Sequence, residues 1–187
     1  MSCNWFYYMN RVLSIIVAGV IFSACNQLSE TEKELSENIN KTLHLNMFDH
    51  VQQVNTLMSF EEFRNRYQFF SVVYLQNACD PCYPKFIKWQ KNMDSIETPE
   101  SYTVLFIYRG DSYEEFMTRV LDIEYVEDKF YMVMAPEGNF LEQNNDIPRW
   151  ISDASVLIDA ENKIKMVGAP WANEDMTKLF YKTLNHE

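Results

Sequence analysis

Glycine is scarce in this chain, with four among 187 residues. That excludes a dinucleotide or phosphate loop, which needs closely spaced positions where backbone can approach a phosphate with no Cβ in the way. Histidine is scarcer still. His44, His50 and His186, beside a single C-x-x-C, are too few and too badly spaced to complete the four ligands of a zinc site. No Ser-His-Asp constellation presents itself either. Basic residues are outnumbered 16 to 27, giving a formal net charge of −11, which argues against nucleic acid as a partner and against a basic face for anionic headgroups. What the chain has is apolar and aromatic: 47% hydrophobic residues, with 13 Phe, 11 Tyr and 4 Trp, ample for one well-buried domain.

The N-terminal stretch reads as a processing segment. Arg11 is the only charged side chain before Glu30, and it precedes the thirteen-residue apolar run Val12 to Ala24. A permanent bilayer span takes roughly 20 residues, so a secretion signal is the better reading. Phe22-Ser23-Ala24-Cys25 resembles the bacterial lipoprotein processing site, in which small residues precede a cysteine that is acylated and becomes the mature N-terminus. That resemblance implies a signal peptide over 1–24, a lipid on Cys25, and a place in the bacterial cell envelope, anchored to the inner or outer membrane with the domain in the periplasm or at the cell surface. Cys3 would leave with the signal and Cys25 would carry lipid. Cys79 and Cys82 would then be the only thiols left, bonded to each other or reduced together.

Residues 25–58 read as an acidic, partly helical tether. Leu35, Ile39, Leu43 and Met47 recur every four positions and predict a helix from about Ser29 to His50. Ser59 followed by Glu62 is a capping-box pattern, opening a short helix with Phe60, Phe63 and Tyr67 and starting a domain over 59–187.

The stretch that organises this domain is the apolar run Phe69 to Leu75, which delivers Cys79-Asp80-Pro81-Cys82 into a helix carrying Phe86, Ile87, Trp89, Gln90 and Met93, with Lys85, Lys88 and Lys91 outward. Two thiols three residues apart at a helix start are a candidate redox centre. Unpaired N–H groups at the helix end favour a Cys79 thiolate, Asp80 opposes it, and Cys82, one turn inside, is expected to be less exposed and to act as the resolving thiol. Pro81 stiffens the intervening loop, while Pro84 requires that the helix begin late or kink. A purely structural bridge is the alternative, although so short a loop constrains the unfolded chain little.

The chain continues with a buried strand over 102–108, a helix from Asp111-Ser112 with Tyr113, Phe116, Met117, Val120 and Leu121 inward, and a short strand over 130–134. A hairpin follows, formed by 155–159 and 163–167, and then a final helix capped by Asn173 with Met176, Leu179, Phe180 and Leu184 inward. Strand-helix-strand order implies a parallel core with crossover helices. Trp89, Trp150 and Trp171 are candidates for a groove wall, although core packing is the more ordinary use of such residues.

This order, together with Cys79-Asp80-Pro81-Cys82, Leu157-Ile158-Asp159 and Val167-Gly168-Ala169-Pro170, resembles the thioredoxin fold. More narrowly it resembles the thioredoxin-like lipoproteins of the TlpA/ResA and peroxiredoxin-like type, especially those encoded by Bacteroidetes. The resemblance implies an α/β domain with a central mixed sheet of four or five strands flanked by helices, a helical N-terminal extension, and no bound cofactor or metal. It makes Cys79 the attacking and Cys82 the resolving thiol of a membrane-anchored oxidoreductase, whose partners would be protein thiols or disulfides and an electron donor. Three positions depart from the family pattern: Ala78 stands where the family has Trp, Val73 where thioredoxins have a buried acid, and Asp153 at or near the usual cis-proline, so that a trans loop is expected there. A non-enzymatic lipoprotein with a structural disulfide remains the rival function. A peroxidase is a third reading, for which Gln76 replaces the expected hydroxyl and Arg109 is the nearest helper.

Overall fold

The computed structural model describes residues 28–76, 82–135 and 138–185. The expected signal segment, Cys25, Cys79, Asp80 and Pro81 lie outside them. Packing divides the chain into one unit ending at Ser36 and a second beginning at Glu37. Helix α1 (Glu30–Asn38) opens on a capping box, in which Ser29 Oγ accepts from the Glu32 N–H at 3.2 Å and the Glu32 carboxylate accepts from the Ser29 N–H at 2.7 Å. It is much shorter than the helix expected to reach His50. Asn40 takes φ 66°, and the chain beyond it runs extended, burying Leu43 and Leu45, which are two residues apart as an extended segment requires.

From Glu37 onward the chain builds one seven-stranded sheet. In chain order the elements are β1 (His50–Gln53), β2 (Thr56–Ser59), α2 (Phe60–Arg66), β3 (Phe69–Leu75), α3 (Cys82–Asn92) with a 3-10 turn at Met93–Ser95, β4 (Tyr102–Tyr108), α4 (Tyr113–Ile123), β5 (Tyr131–Met134), α5 (Asn139–Gln143), α6 (Arg149–Ala154), β6 (Val156–Ile158), β7 (Ile164–Val167) and α7 (Glu174–Leu184). The strand order is β2-β1-β5-β4-β3-β6-β7. Strands β3, β4 and β5 are parallel, and the others join antiparallel.

The sheet thus has two strands beyond the upper end of the four or five expected, and these two, β1 and β2, come from the stretch expected to be the tether. The β1-β2 turn lacks a hairpin signature because Val54 occupies its positive-φ position, at 51°, where glycine or asparagine is the usual occupant. Its N–H is held by Tyr113 Oη at 2.8 Å and Asp128 Oδ2 at 3.2 Å. These bonds tie the turn to α4 and to the segment before β5.

Two apolar layers cover the sheet. Phe70, Val72 and Tyr74 of β3 point into one with Phe63, Phe140 and Ile151, while Phe69, Val73 and Leu75 point into the other with Cys82, Phe86, Trp89, Phe116 and Phe180. Burial on both faces explains why β3 and β4, apart from Ser71 and Thr103, are apolar rather than alternating. Ser59, Ser112 and Asn173 each cap the helix expected of them, accepting from the N–H groups of Glu62, Glu115 and Met176. Leu121 and Leu179, expected inward, are 48% and 42% exposed.

Candidate functional site

Strand β3 ends at Leu75, and α3 begins at Cys82. Pro84 therefore falls in the first turn, where its missing N–H would have had no intrahelical acceptor, and the helix needs no kink to admit it. Cys82 is buried in the same apolar layer as Val73. The valine offers no carboxylate at this level of the strand.

Tyr108 is a titratable neighbour of Cys82. Tyr108, the last residue of β4, pairs in register with Leu75 and hydrogen-bonds through its hydroxyl to Tyr83. Burial pushes its pKa strongly upward, with Tyr83, Cys82 and Glu115 adding to the shift. Both rings pack on Phe116, with centroids at 4.5 Å for Tyr108 and 5.2 Å for Tyr83. Gly110 makes room for this arrangement, since a Cβ there would lie 2.1 Å from the Tyr108 ring.

A second group of polar residues meets on the β6 side of β3. Lys85, expected outward, turns in: its Nζ donates to the Tyr74 carbonyl at 3.0 Å and to the Asp153 carbonyl at 2.7 Å. Burial lowers its pKa to about 8, an effect opposed by Asp153 and reinforced by Arg149. The Asp153 carboxylate is bonded through both oxygens to Arg149 Nε, at 2.9 and 3.0 Å, and Arg149 Nη2 donates to Gln76 Oε1 at 2.9 Å. The Arg149 guanidinium also lies 5.2 Å above the Tyr74 ring. Burial raises the Tyr74 pKa, while Arg149 and Arg109 hold it down. Among the described residues there is no cis peptide bond.

Trp89 and Trp171 pack edge to face at 4.3 Å within the α3 layer, whereas Trp150 on α6 is 37% exposed. Among the described residues, no cluster of three or more His, Cys, Asp or Glu side chains is placed to hold a metal, and no helix is long and apolar enough to cross a membrane. A cleft of about 780 Å³ lined by Arg66, Tyr67, Tyr102 and Lys129 lies at the amino-terminal ends of β3 and β4, the far end from Cys82.

The sequence matches no family model and no curated protein. Solved structures do match. A thiol-disulfide oxidoreductase from Bacteroides fragilis superposes with a TM-score of 0.51 at 13% identity, over 77% of this chain and 99% of that one. A Chlorobium tepidum protein provisionally named thiol:disulfide interchange protein DsbE gives 0.50 at 14% identity, over 73% of this chain and 92% of that one. The chain has a thioredoxin-like fold. At such identities the likeness bears on architecture, and chemistry has to be argued from the residues.

On this thioredoxin-like frame the residues that sequence reasoning missed are Lys85, Arg149 and the Tyr83-Tyr108 pair. Periodicity assigned Lys85 to the solvent face, because it reports where Cβ points and not where four methylenes carry the ammonium. The pairing of Arg149 with Asp153 was open to detection, since opposite charges at i and i+4 on a helix are neighbours. Nothing local signals the approach of Tyr108 to Tyr83.

Proposed function

We propose that this protein is a thiol-disulfide oxidoreductase that works through Cys79 and Cys82 and is held at a bacterial membrane by lipid on Cys25. The observation that carries the reading is the placement of Cys82: a buried cysteine opening the helix that follows β3, an interior strand of a thioredoxin-like sheet, three residues after a second cysteine. In this mechanism the Cys79 thiolate attacks one sulfur of a substrate disulfide, forming a mixed disulfide and releasing the first substrate thiolate. Cys82 then gives its proton to the released thiolate, attacks Cys79 and expels the second thiolate, which takes a proton from water. Two electrons pass to the substrate, and the protein is left with a Cys79-Cys82 disulfide. A dithiol protein must return it to the reduced state. The buried phenol of Tyr108 is a titratable neighbour of Cys82 on a sheet where Val73 supplies no carboxylate, and its raised pKa keeps it neutral beside the resolving thiol.

The test is reduction of a cystine-bridged peptide by the full chain. Cys79→Ser is expected to abolish turnover, while Cys82→Ser is expected to trap the mixed disulfide, visible as a mass increase. Unchanged exchange in Cys79→Ser, or a midpoint potential for the pair below about −300 mV, would instead identify the bridge as a staple. The anchor is tested separately, by whether labelled fatty acid enters the wild-type chain and not Cys25→Ser in cells.

A further inference from the structure

A cleft of about 280 Å³ opens at the seam between β1 and β5, with Met47, Asp49, His50, Leu57, Met132 and Met134 in its walls. Strand register brings these residues together. Gln52 of β1 lies opposite Met132 of β5 in an antiparallel pair, so His50 falls opposite Met134, two positions along and on the same face. Side chains placed in this way start about 5 Å apart, close enough to share one ion. Met47 comes from the turn ahead of β1. That turn is closed by the Phe48 N–H, which donates to the Leu45 carbonyl at 3.2 Å, and it is pinned by the Phe60 N–H on the Asp49 carbonyl at 2.8 Å and by the Phe48 and Phe60 rings, whose centroids are 6.0 Å apart.

The donors that meet here are soft. Three of the chain's ten methionines and one of its three histidines line the cleft. A methionine that only fills a gap is at home among apolar side chains, whereas these share their walls with an imidazole and a carboxylate. No Lys or Arg among the described residues lines the cleft, so Asp49 gives it a negative local charge that favours a cation. A hard cation such as Ca²⁺ takes six or more oxygen ligands, which these residues do not supply, and a structural zinc takes four from thiolate, imidazole and carboxylate. Thioethers select Cu(I), which imidazole also suits. Met132 is 1% exposed, so the inner donor is shielded from water.

We propose that Met47, His50, Met132 and Met134 form a binding site for Cu(I). Strand β1 lies three places from β3 in the sheet, roughly 14 Å at the usual strand spacing, so the site is separate from the thiol pair and independent of the exchange activity proposed above. Asp49 acts on the ion through its charge.

The experiment titrates Ag(I), a closed-shell stand-in for Cu(I), into the full chain carrying Cys3→Ser, Cys25→Ser, Cys79→Ser and Cys82→Ser, so that no thiol competes, with the methionine methyl groups isotopically labelled for NMR. The methyl resonances of Met47, Met132 and Met134 are expected to move together and to saturate at one ion per chain, while the other methionines stay in place and Zn(II) at the same concentration moves none of them. Met134→Leu, which nearly conserves side-chain volume, and His50→Ala are each expected to weaken Ag(I) binding about tenfold or more. Shifts spread over all the methionines would show capture at the surface and overturn the proposal. An equal response to Zn(II), or an unchanged affinity in either variant, would overturn it as well. If the cysteine-free chain fails to fold, by circular dichroism, the wild-type chain is titrated past saturation of its thiols, and the same three resonances decide.

Discussion

The two ends of β6 are held in opposite ways. At its carboxyl end Asp159 is buried, and its Oδ1 accepts from the N–H groups of Glu161 at 3.0 Å and Lys163 at 2.8 Å while Oδ2 pairs with Lys165 at 2.9 Å. Its hydrogen-bond and ion-pair partners lie within six residues of it, and Arg64 of α2, bonded to the Ala160 carbonyl, adds a charge from outside the turn. At the amino end Lys85 is held by two carbonyls from β3 and α6, its nearest carboxylate is committed elsewhere, and the adjoining Ser155 is strained, with its hydroxyl lacking a partner. A charge satisfied locally makes a turn that forms by itself. A charge satisfied by remote elements makes a junction whose geometry depends on all of them.

That comparison is best broken at Asp159. Asp159→Ala leaves Lys165 and two N–H groups without their acceptor, and is expected to cost about 3 kcal/mol and to lower Tm by about 10 °C, read by thermal denaturation. Turnover per folded molecule should be unchanged.

Lys85 supplies the next largest effect, through pH. Its pKa falls from 10.5 to about 8 on folding, so below pH 8 the lysine is protonated in both states and stability is flat. Between pH 8 and 10 the folded chain sheds the proton first and the unfolded chain holds more, so stability rises, by on the order of 2 kcal/mol. Urea midpoints measured across that interval should climb in wild type and stay level in Lys85→Met. A level wild-type profile would show that the ammonium is not desolvated.

Ser155→Gly is expected to stabilise the chain by about 1 kcal/mol, since glycine adopts φ 86° without strain and the orphaned hydroxyl is removed. The smallest change belongs to Arg149→Ala, which removes an exposed i, i+4 pair and should cost under about 1 kcal/mol in chemical denaturation.

Most of the frame could be read from residue order. Phe69 to Leu75 and Tyr102 to Tyr108 are apolar enough to be central strands, and Ser59, Ser112 and Asn173 mark helix starts by their side-chain chemistry alone. What escaped reading was decided by tertiary contact. Gln52 and Gln53 give β1 no apolar alternation, and Val54 disguises its turn because Tyr113 and Asp128 hold a conformation valine does not prefer. The four-residue spacing of Leu35, Ile39, Leu43 and Met47 imitates a helix that Asn40 ends. At the site the sequence supplies the helix that begins at Cys82, whereas the phenols come from a strand and a helix that meet only after folding.

The run from Asn40 to Leu43 lies along β7 much as an eighth strand would: Asn40 N–H donates to the Ile164 carbonyl at 2.7 Å, Ile164 N–H to that of Lys41 at 2.9 Å, and Leu43 N–H to that of Asn162 at 2.8 Å. A recombinant fragment cut at Ser59 would therefore uncover the start of β7 and, with β1 and β2 gone, the edge of β5, inviting another chain to add on, and would be expected to precipitate. A fragment starting at Glu37 carries its own shield. Production of the soluble domain depends on that choice of first residue.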